Sequence, residues 1–347
     1  MNRSCTVIVV TLNRPDCVRQ CIQCLCAQRP LVEQIIVVDA SADTRTRVEC
    51  ERFPDVLYLR HELGEAHTTH GRNLGVRHAT GEIIAFLDDD AYAREGWLAA
   101  LLATYGNDSR IGAVGGRALR NTPNEETEGV NEIGLLTKSG SLTGFFGADP
   151  GKIIEVDHLI GCNMSFRREV IGRFGGFRAG FETRYCIREE SDIFMIMKKY
   201  GYRILFNPAA VVDHIGAPKP TGKRFDVSWD YFGHRNHYVL LMRNHGICGT
   251  IVWRHFAASL WRASVVFARD FAKATIRLWA AITGTASGIA AGAYYAIKQG
   301  RDPVRRDREG VEISRILLHS EPPKSVRSDQ PERLRDKRSV GRFDPVV

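Results

Sequence analysis

Apolar and polar positions change period repeatedly along the first two thirds of the chain. "CTVIVVT" (5–11), "VEQIIVVDAS" (32–41) and "EIIAFLD" (82–88) are continuous apolar runs, the pattern of strands covered on both faces. "VLYLRH" (56–61) is a shorter third strand. Between them, "NRPDCVRQCIQCLCAQ" (13–28) opens with Asn13 and Pro15 and then takes a helical period. "AHTTHGRNLGVRHAT" (66–80) does the same through Leu74, Val76 and Ala79, and Gly81 closes it. Strands alternating with helices predict an α/β fold with a mostly parallel central sheet. "GWLAALLATYGN" (96–107) reads as a helix and "IGAVGGRAL" (111–119) as a strand, and 120–155 is loop-rich. "DHLIGCNMSFRREVIGRFGGF" (157–177) predicts a strand and a short helix from near Arg167. "REESDIFMIMKKYGYRILFNPAAVVDHIG" (188–216) predicts a helix from about Glu190 to Tyr200, a cap at Gly201, then two strands, "YRILF" and "AVVDH".

The pattern then changes. Residues 228–246 and 249–279 read as amphipathic helices, the second with Arg254, Arg262, Arg269, Lys273 and Arg277 spaced among apolar residues. "LWAAITGTASGIAAGAYYAI" (278–297) has no charge, and Gly284, Gly288 and Gly292 recur every fourth residue. Its length permits a membrane span. Its Gly, Ala, Ser and Thr content makes insertion weak, so an interfacial helix and a helix packed on the core are the other readings. From Pro303 on, charged and Pro-containing stretches predict a disordered tail.

Composition sharpens this in three places. The net charge of +8 comes chiefly from residues 214–300, interleaved with Trp229, Tyr231, Phe232, Trp253, Phe256, Trp261 and Trp279. That suits an anionic lipid surface, and no nucleic-acid motif accompanies it. The apolar run at 7–10 is too short for a signal peptide, so the expected location is cytoplasmic, peripheral on the inner face of the cell membrane. Nine cysteines in 347 residues are no secreted disulfide scaffold. Cys17, Cys21 and Cys24 share one helix face without zinc-knuckle spacing, and read as small apolar residues.

The chemistry centres on Asp88, Asp89 and Asp90, directly after a buried strand. Adjacent carboxylates raise one another's pKa unless a counter-charge is supplied. In parallel α/β sheets, ligands bind at the carboxyl ends of the strands. Thr11, Asn13 and Arg14 follow the first strand and Asp39 ends the second, so three strand ends converge with the aspartates. A hard divalent cation between carboxylate and phosphate oxygens accounts for so many acids there. No P-loop and no dinucleotide-binding glycine pattern follows strand one.

In order along residues 5–216, the chain resembles a family 2 glycosyltransferase with the GT-A fold. "IIVVDASAD" resembles that family's "VVDDGSTD". "GRNLGVRHATGEIIAFLDDDAYAREGWL" resembles "ARNxGxxxAxGExxxFLDDDxxxxxxWL". "GCNMSFRREVIGRFGGF" resembles "GxNMAFRRxxLxxxGGFD", and "REESDIFMIMKKYGYRILFNPAAVVDH" resembles "GEDxDLxxRLxxxGYRIxYxPxAxVxH". The resemblance implies that Thr11, Asn13, Arg14 and Asp39 line the nucleotide pocket, with Asp39 facing the base. It implies Arg72 near the diphosphate or closing the base pocket, Asp88 and Asp89 on the nucleotide side, and Asp90 with His214 on a Mg2+ or Mn2+ ion. Glu190 stands where the family has the Asp of "ED", its general base; because this chain has Glu189-Glu190 instead, Glu189 and Asp192 remain alternatives. Asn163 and Met164 would shape the acceptor pocket.

The chemistry agrees with these roles. A leaving diphosphate needs its charge neutralised, and an attacking hydroxyl needs a carboxylate base. A base opposite the leaving group means inversion. The expected enzyme moves a sugar from a nucleotide-diphosphate donor, UDP- or dTDP- before GDP-, to a glycan or lipid-linked hydroxyl in envelope or surface-polysaccharide synthesis. The expected division is a catalytic domain over 1–222 (nucleotide half about 1–119, acceptor half about 120–222), a basic aromatic helical segment over 223–300, and a tail over 301–347. The rival readings are a catalytically inactive scaffold of a membrane glycan complex and a nucleotidyltransferase, although the latter would show a Gly-rich basic loop that "TLNRPDCV" lacks.

Overall fold

The computed structural model describes residues 3–64, 67–181, 187–217, 227–269, 271–299 and 308–319. Its sheet starts with the apolar runs. β1 (Cys5–Thr11) is followed by α1 (Pro15–Cys26), β2 (Val32–Asp39), α2 (Arg45–Cys50), β3 (Val56–Arg60), α3 (Thr68–His78) and β4 (Ile83–Asp88). β3, β2, β1 and β4 lie side by side in that order, all parallel. α1 begins with Pro15 in its first turn and buries Val18, Cys21, Ile22 and Leu25, an i, i+3, i+4, i+7 face, against this sheet. On the opposite face α3 comes so close that a Cβ on Gly75 would lie 2.6 Å from Ile8.

The second half of the sheet departs from the parallel expectation. β5 (Ala91–Ala93), α4 (Trp97–Tyr105), β6 (Ile111–Leu119), β7 (Ile154–Glu155), β8 (Met164–Arg167), α5 (Arg168–Arg173), α6 (Glu189–Lys199) and β9 (Arg203–His214) follow. β8 enters antiparallel between β4 and β6, β9 is parallel to β6, and β5 and β7 are antiparallel to β9. The strand direction changes because β8 arrives from the long loop after β6 and not from a helical crossover. The two strands expected in 202–214 are one. Pro208 sits at a register shift opposite Gly116 and Arg117, and Asn207 Oδ1 accepts from Ala209 N at 2.9 Å, so the ladder resumes beyond the irregularity.

Beyond the sheet lie α7 (Val227–His245), α8 (Thr250–Arg269), α9 (Phe271–Gln299) and α10 (Arg308–His319). No helix among the described residues is long and apolar enough to cross a membrane. α9 packs its glycine face on α7: an added Cβ would lie 2.4 Å from Tyr231 O at Gly284, 2.6 Å from Arg235 O at Gly288, and 2.9 Å from Met242 Sδ at Gly292. Of the three readings for 278–297, packing on the protein is therefore the arrangement the chain adopts, while Trp279, Ile282 and Ile297 remain exposed on its outer side.

α10 corrects the expectation of a wholly disordered tail. Ile313 and Leu317, one turn apart, are buried against α5, Ser314 Oγ donates to Gly172 O at 2.7 Å, and Glu309 pairs with Arg77 of α3. Two buried apolar side chains, with Ile316 partly buried beside them, suffice in a charged stretch when a groove is waiting for them. The boundary expected at residue 222 and the rest of the tail (301–307, 320–347) lie outside the described residues.

The glycine seam makes one expectation direct. Gly288→Leu forces a side chain into the backbone of α7, and we expect a loss of about 1–3 kcal/mol in stability. A lowered unfolding midpoint, with earlier proteolytic release of the C-terminal helices, is the outcome that checks it; an unchanged midpoint and digest would contradict this packing.

Candidate active site

The strand order sets the site. β2, β1 and β4 are neighbours, with Thr11 paired to Asp39 and Val10 to Asp88, so the carboxyl ends bearing Asp39, Thr11 and Asp88 form one edge. Chain reversal after β4 places Asp89 and Asp90 beneath that edge, and β9 brings His214 to it through its pairing with Ala91 of β5.

The three aspartates separate into different tasks. Asp89 is fully buried: Thr11 Oγ1 donates to its Oδ2 at 2.6 Å and Arg14 Nε at 2.9 Å, while Arg14 Nη2 meets Oδ1. Asp90 is also buried. Its Oδ2 accepts from Arg14 Nη1 at 3.1 Å and from Ala217 N at 2.8 Å, and its Oδ1 lies 3.4 Å from His214 Nε2. Asp88 is partly exposed, 3.7 Å from Arg72 Nη2 and 4.0 Å from His214 Nε2. Burial pushes Asp89 up to about 7 against the pull of Arg14, with Asp90 adding to the rise. Asp90 falls to about 2, because His214 and Arg14 outweigh the effect of burial. Asp89 was expected beside the nucleotide; its oxygens instead hold Thr11 and Arg14, so it acts as an internal clasp.

His214 offers the test of a cation at this edge. Its Nε2 is buried, makes no hydrogen bond, and faces carboxylate oxygens of Asp88 and Asp90, while Nδ1 sits 3.6 Å from Cys162 Sγ. Ligand atoms of Asp88, Cys162 and His214 all lie within 4.8 Å of one another. An orphaned imidazole nitrogen among carboxylates fits a divalent cation. Cys162 escaped the sequence reading, because a lone Cys in an apolar run carries no spacing signal; only its position opposite His214 gives it meaning.

Across the edge, Arg72 joins the two halves. It is buried, donates from Nη1 to Glu189 Oε1 at 2.7 Å, and reaches Gly161 O, where a Cβ would come within 2.7 Å of its guanidinium. Glu189 is thus an ion-pair partner and does not stand free as a base. Asp192 does not either. It is fully buried, bound by both Arg178 Nε and Nη2 and by Asn244 of α7 at 2.8 Å, and so fastens α6 to α7. Glu190 is different: half-buried in the first turn of α6, it is pushed up to about 8 by burial and then by the charge of Glu189. The helix dipole pulls the other way, and burial wins.

Three further expectations resolve as follows. Asn13 adopts φ 55, and its N–H donates to Ser41 Oγ at 2.7 Å, so it shapes the turn after β1. Asp39 is fully buried and accepts from Ser41 N, Ser41 Oγ and Tyr58 OH. Asn163 and Met164 do not line an acceptor pocket. Asn163 accepts from Trp97 Nε1 at 2.9 Å and donates to Arg117 O and Ala210 O, a cross-link of α4, β6 and β9, and Met164 lies wholly in the core. A buried amide with every group satisfied is a packing device, and the bare sequence does not distinguish it from a pocket residue.

Comparison with known proteins agrees with this arrangement. Residues 6–175 match the family described as Glycosyl transferase family 2. A glucosyl-dolichyl phosphate glucuronosyltransferase of Haloferax volcanii is 29% identical over 229 residues, covering 62% of this chain and 69% of that protein. The mannosyltransferase PcManGT of Pyrobaculum calidifontis, solved with GDP-Man and Mn2+, superimposes with TM-score 0.50 at 20% identity over 86% of this chain and 88% of its own. GalNAc-T7, solved with UDP, GalNAc and Mn2+, gives TM-score 0.52 at 15% identity over 70% of this chain, which spans 48% of that protein. With the α/β sheet, the aspartates at its carboxyl edge and these matches together, residues 6–175 form a glycosyl transferase family 2 domain, and the chain is a glycosyltransferase of the GT-A fold.

Proposed function

We propose that this glycosyltransferase takes a sugar from a nucleoside-diphosphate donor bound at the edge formed by β2, β1 and β4, and transfers it with inversion to a hydroxyl held beside Glu190. The observation that carries the reading is the pairing of two unlike sites across Arg72: an acid-and-imidazole cluster at Asp88, Asp90 and His214, and a single half-buried carboxylate with a raised pKa at Glu190. A scaffold has no need of either.

The residues divide the work. Asp39 has three of its roughly four acceptor positions filled, which leaves one for a ring N–H of uracil, thymine or guanine. UDP and dTDP donors remain the first reading; GDP satisfies the same contact, and GDP-Man is the donor in the PcManGT complex. Asp90 and His214, with Asp88 adjoining, would hold the divalent cation. A cation held there would supply positive charge to the leaving diphosphate. A nitrogen in the ligand set favours Mn2+ over Mg2+. Arg14 keeps Asp90 oriented, and Arg72 holds Glu189 away from the acceptor while adding positive charge beside Asp88. Glu190 Oε accepts the proton of the attacking hydroxyl, from the side of the sugar opposite the diphosphate, with no covalent intermediate.

We assign the acceptor to a glycan or lipid-linked chain in envelope or surface-polysaccharide synthesis, met at a membrane surface. The exposed Trp253, Leu260, Trp261, Trp279, Ile282 and Ile297, beside Arg254, Arg262 and Arg277, support docking on anionic lipid.

Two outcomes check this. First, in a panel of UDP-, dTDP- and GDP-sugars, release of nucleoside diphosphate from one donor should stop in EDTA and return with Mn2+. His214→Ala should raise the Mn2+ concentration needed by about 10-fold or more. Release indifferent to EDTA would contradict the assignment. Second, a base must be ionised to accept a proton, so a raised Glu190 pKa places the ascending limb of kcat/KM near pH 8, with activity lost below it. Glu190→Gln should lower turnover by about 10²–10⁴-fold and remove that limb. A limb that survives the substitution would assign the base elsewhere.

A further inference from the structure

Arg188, two residues before Glu190, stands in a conformation that a side chain resists. It caps α6 at φ 80 and ψ −1, the left-handed region that glycine adopts without cost, and the family pattern quoted above has glycine at this position. Strained backbone that persists at a site calls for a use of the side chain.

The side chain itself is unusual among the arginines here. Arg14 is paired with Asp89 and Asp90, Arg72 with Glu189, and Arg178 with Asp192. Arg188 has no ion pair among the described residues, and its buried Nε has no hydrogen-bond partner. Among the described residues, the carboxylates that act on it are Glu190 and Glu189, the second already held by Arg72. Its other neighbours include imidazoles that burial, with its own charge, keeps neutral. His158, His234 and His237 feel its charge, as does His255, and Arg262 adds to the field at His234 and His255. Two of these rings are held by backbone carbonyls: His158 Nε2 donates to Thr143 O at 2.8 Å and His237 Nε2 to Gly140 O at 2.7 Å. Nδ1 of His237 and Nδ1 of His255 are buried without partners. The half-buried guanidinium therefore borders the base on one side and a wall of neutral, incompletely bonded imidazoles on the other, and no carboxylate among the described residues forms an ion pair with it.

We propose that Arg188 anchors an oxyanion subsite on the acceptor side of Glu190, which takes a phosphate or carboxylate group of the acceptor close to the hydroxyl that is glycosylated. A guanidinium presents parallel N–H donors that match either oxyanion, and the partly desolvated setting strengthens the pairing. The placement on the acceptor side rests on the reading of Glu190 as base; the anion site itself does not.

The test uses the full chain in EDTA, so that the acidic donor edge repels anions and turnover plays no part. Methyl phosphate and acetate are titrated separately by calorimetry into wild type, Arg188→Gly and Arg188→Gln. Wild type should bind at least one of them at millimolar concentration, and the stronger of the two identifies the acceptor group. Both variants should weaken that binding at least 10-fold, and Arg188→Gly should unfold at the same or a higher temperature than wild type, because glycine suits φ 80. Wild type that binds neither anion, or variants that bind as wild type does, would overturn the proposal. Anion binding that remains intact in a protein with no transfer activity would refute the catalytic reading and leave the subsite standing.

Discussion

Arg14 is the counter-charge on which this site depends. Three consecutive aspartates at a strand end repel one another, and two of them are buried. One guanidinium, supplied by the turn after β1, holds both oxygens of Asp89 and one of Asp90. It does so because β1 and β4 are adjacent and parallel, so that both strand ends emerge side by side. With the buried charge compensated, Asp90 stays ionised and Asp88 remains free to face the cleft. Removing one partner from such a pair leaves an uncompensated buried charge, which costs about 3–5 kcal/mol. The clasp is therefore part of the fold as well as of the site.

A second ion pair carries this order across the sheet. Arg72 on α3 belongs to the nucleotide half, and Glu189 on α6 to the acceptor half. Their contact sets the distance between the acid cluster and Glu190. α6 is fixed from behind by Asp192, Arg178 and Asn244, and α7 is in turn covered by α9 along the glycine seam. The C-terminal helices thus brace the base as well as presenting an apolar outer face.

Much of this was legible in the residues. Continuous apolar runs marked β1, β2, β4 and β6, and Pro15 and Gly201 marked the start of α1 and the end of α6. The ordered motifs singled out Asp88, Asp90 and His214, which the fold brings to one edge, and Glu190, which lies in the first turn of α6. What stayed hidden depended on partners far away in sequence. The direction of β8 is decided by a long loop, and Pro208 looks like a strand end until the bulge opposite Gly116 absorbs it. Asn163 and Asp192 read as site residues because polar groups near motifs usually are; only their buried partners, Trp97 and Arg178, show them to be structural. α10 hid among charges because its few apolar residues acquire meaning from the groove above α5. Arg188 was visible as a letter, yet its significance lies in a backbone angle.

On the proposed function, the aspartate run divides into a clasp, Asp89, and a cation ligand, Asp90. The most direct measurement is Mn2+ affinity, by electron paramagnetic resonance of free Mn2+, in the folded Asp89→Asn and Asp90→Asn variants beside wild type. Asp89→Asn should lower the unfolding midpoint while its folded form keeps Mn2+ affinity within a few-fold, and Asp90→Asn should lose Mn2+ binding. Equal loss of affinity in the two variants would contradict the division.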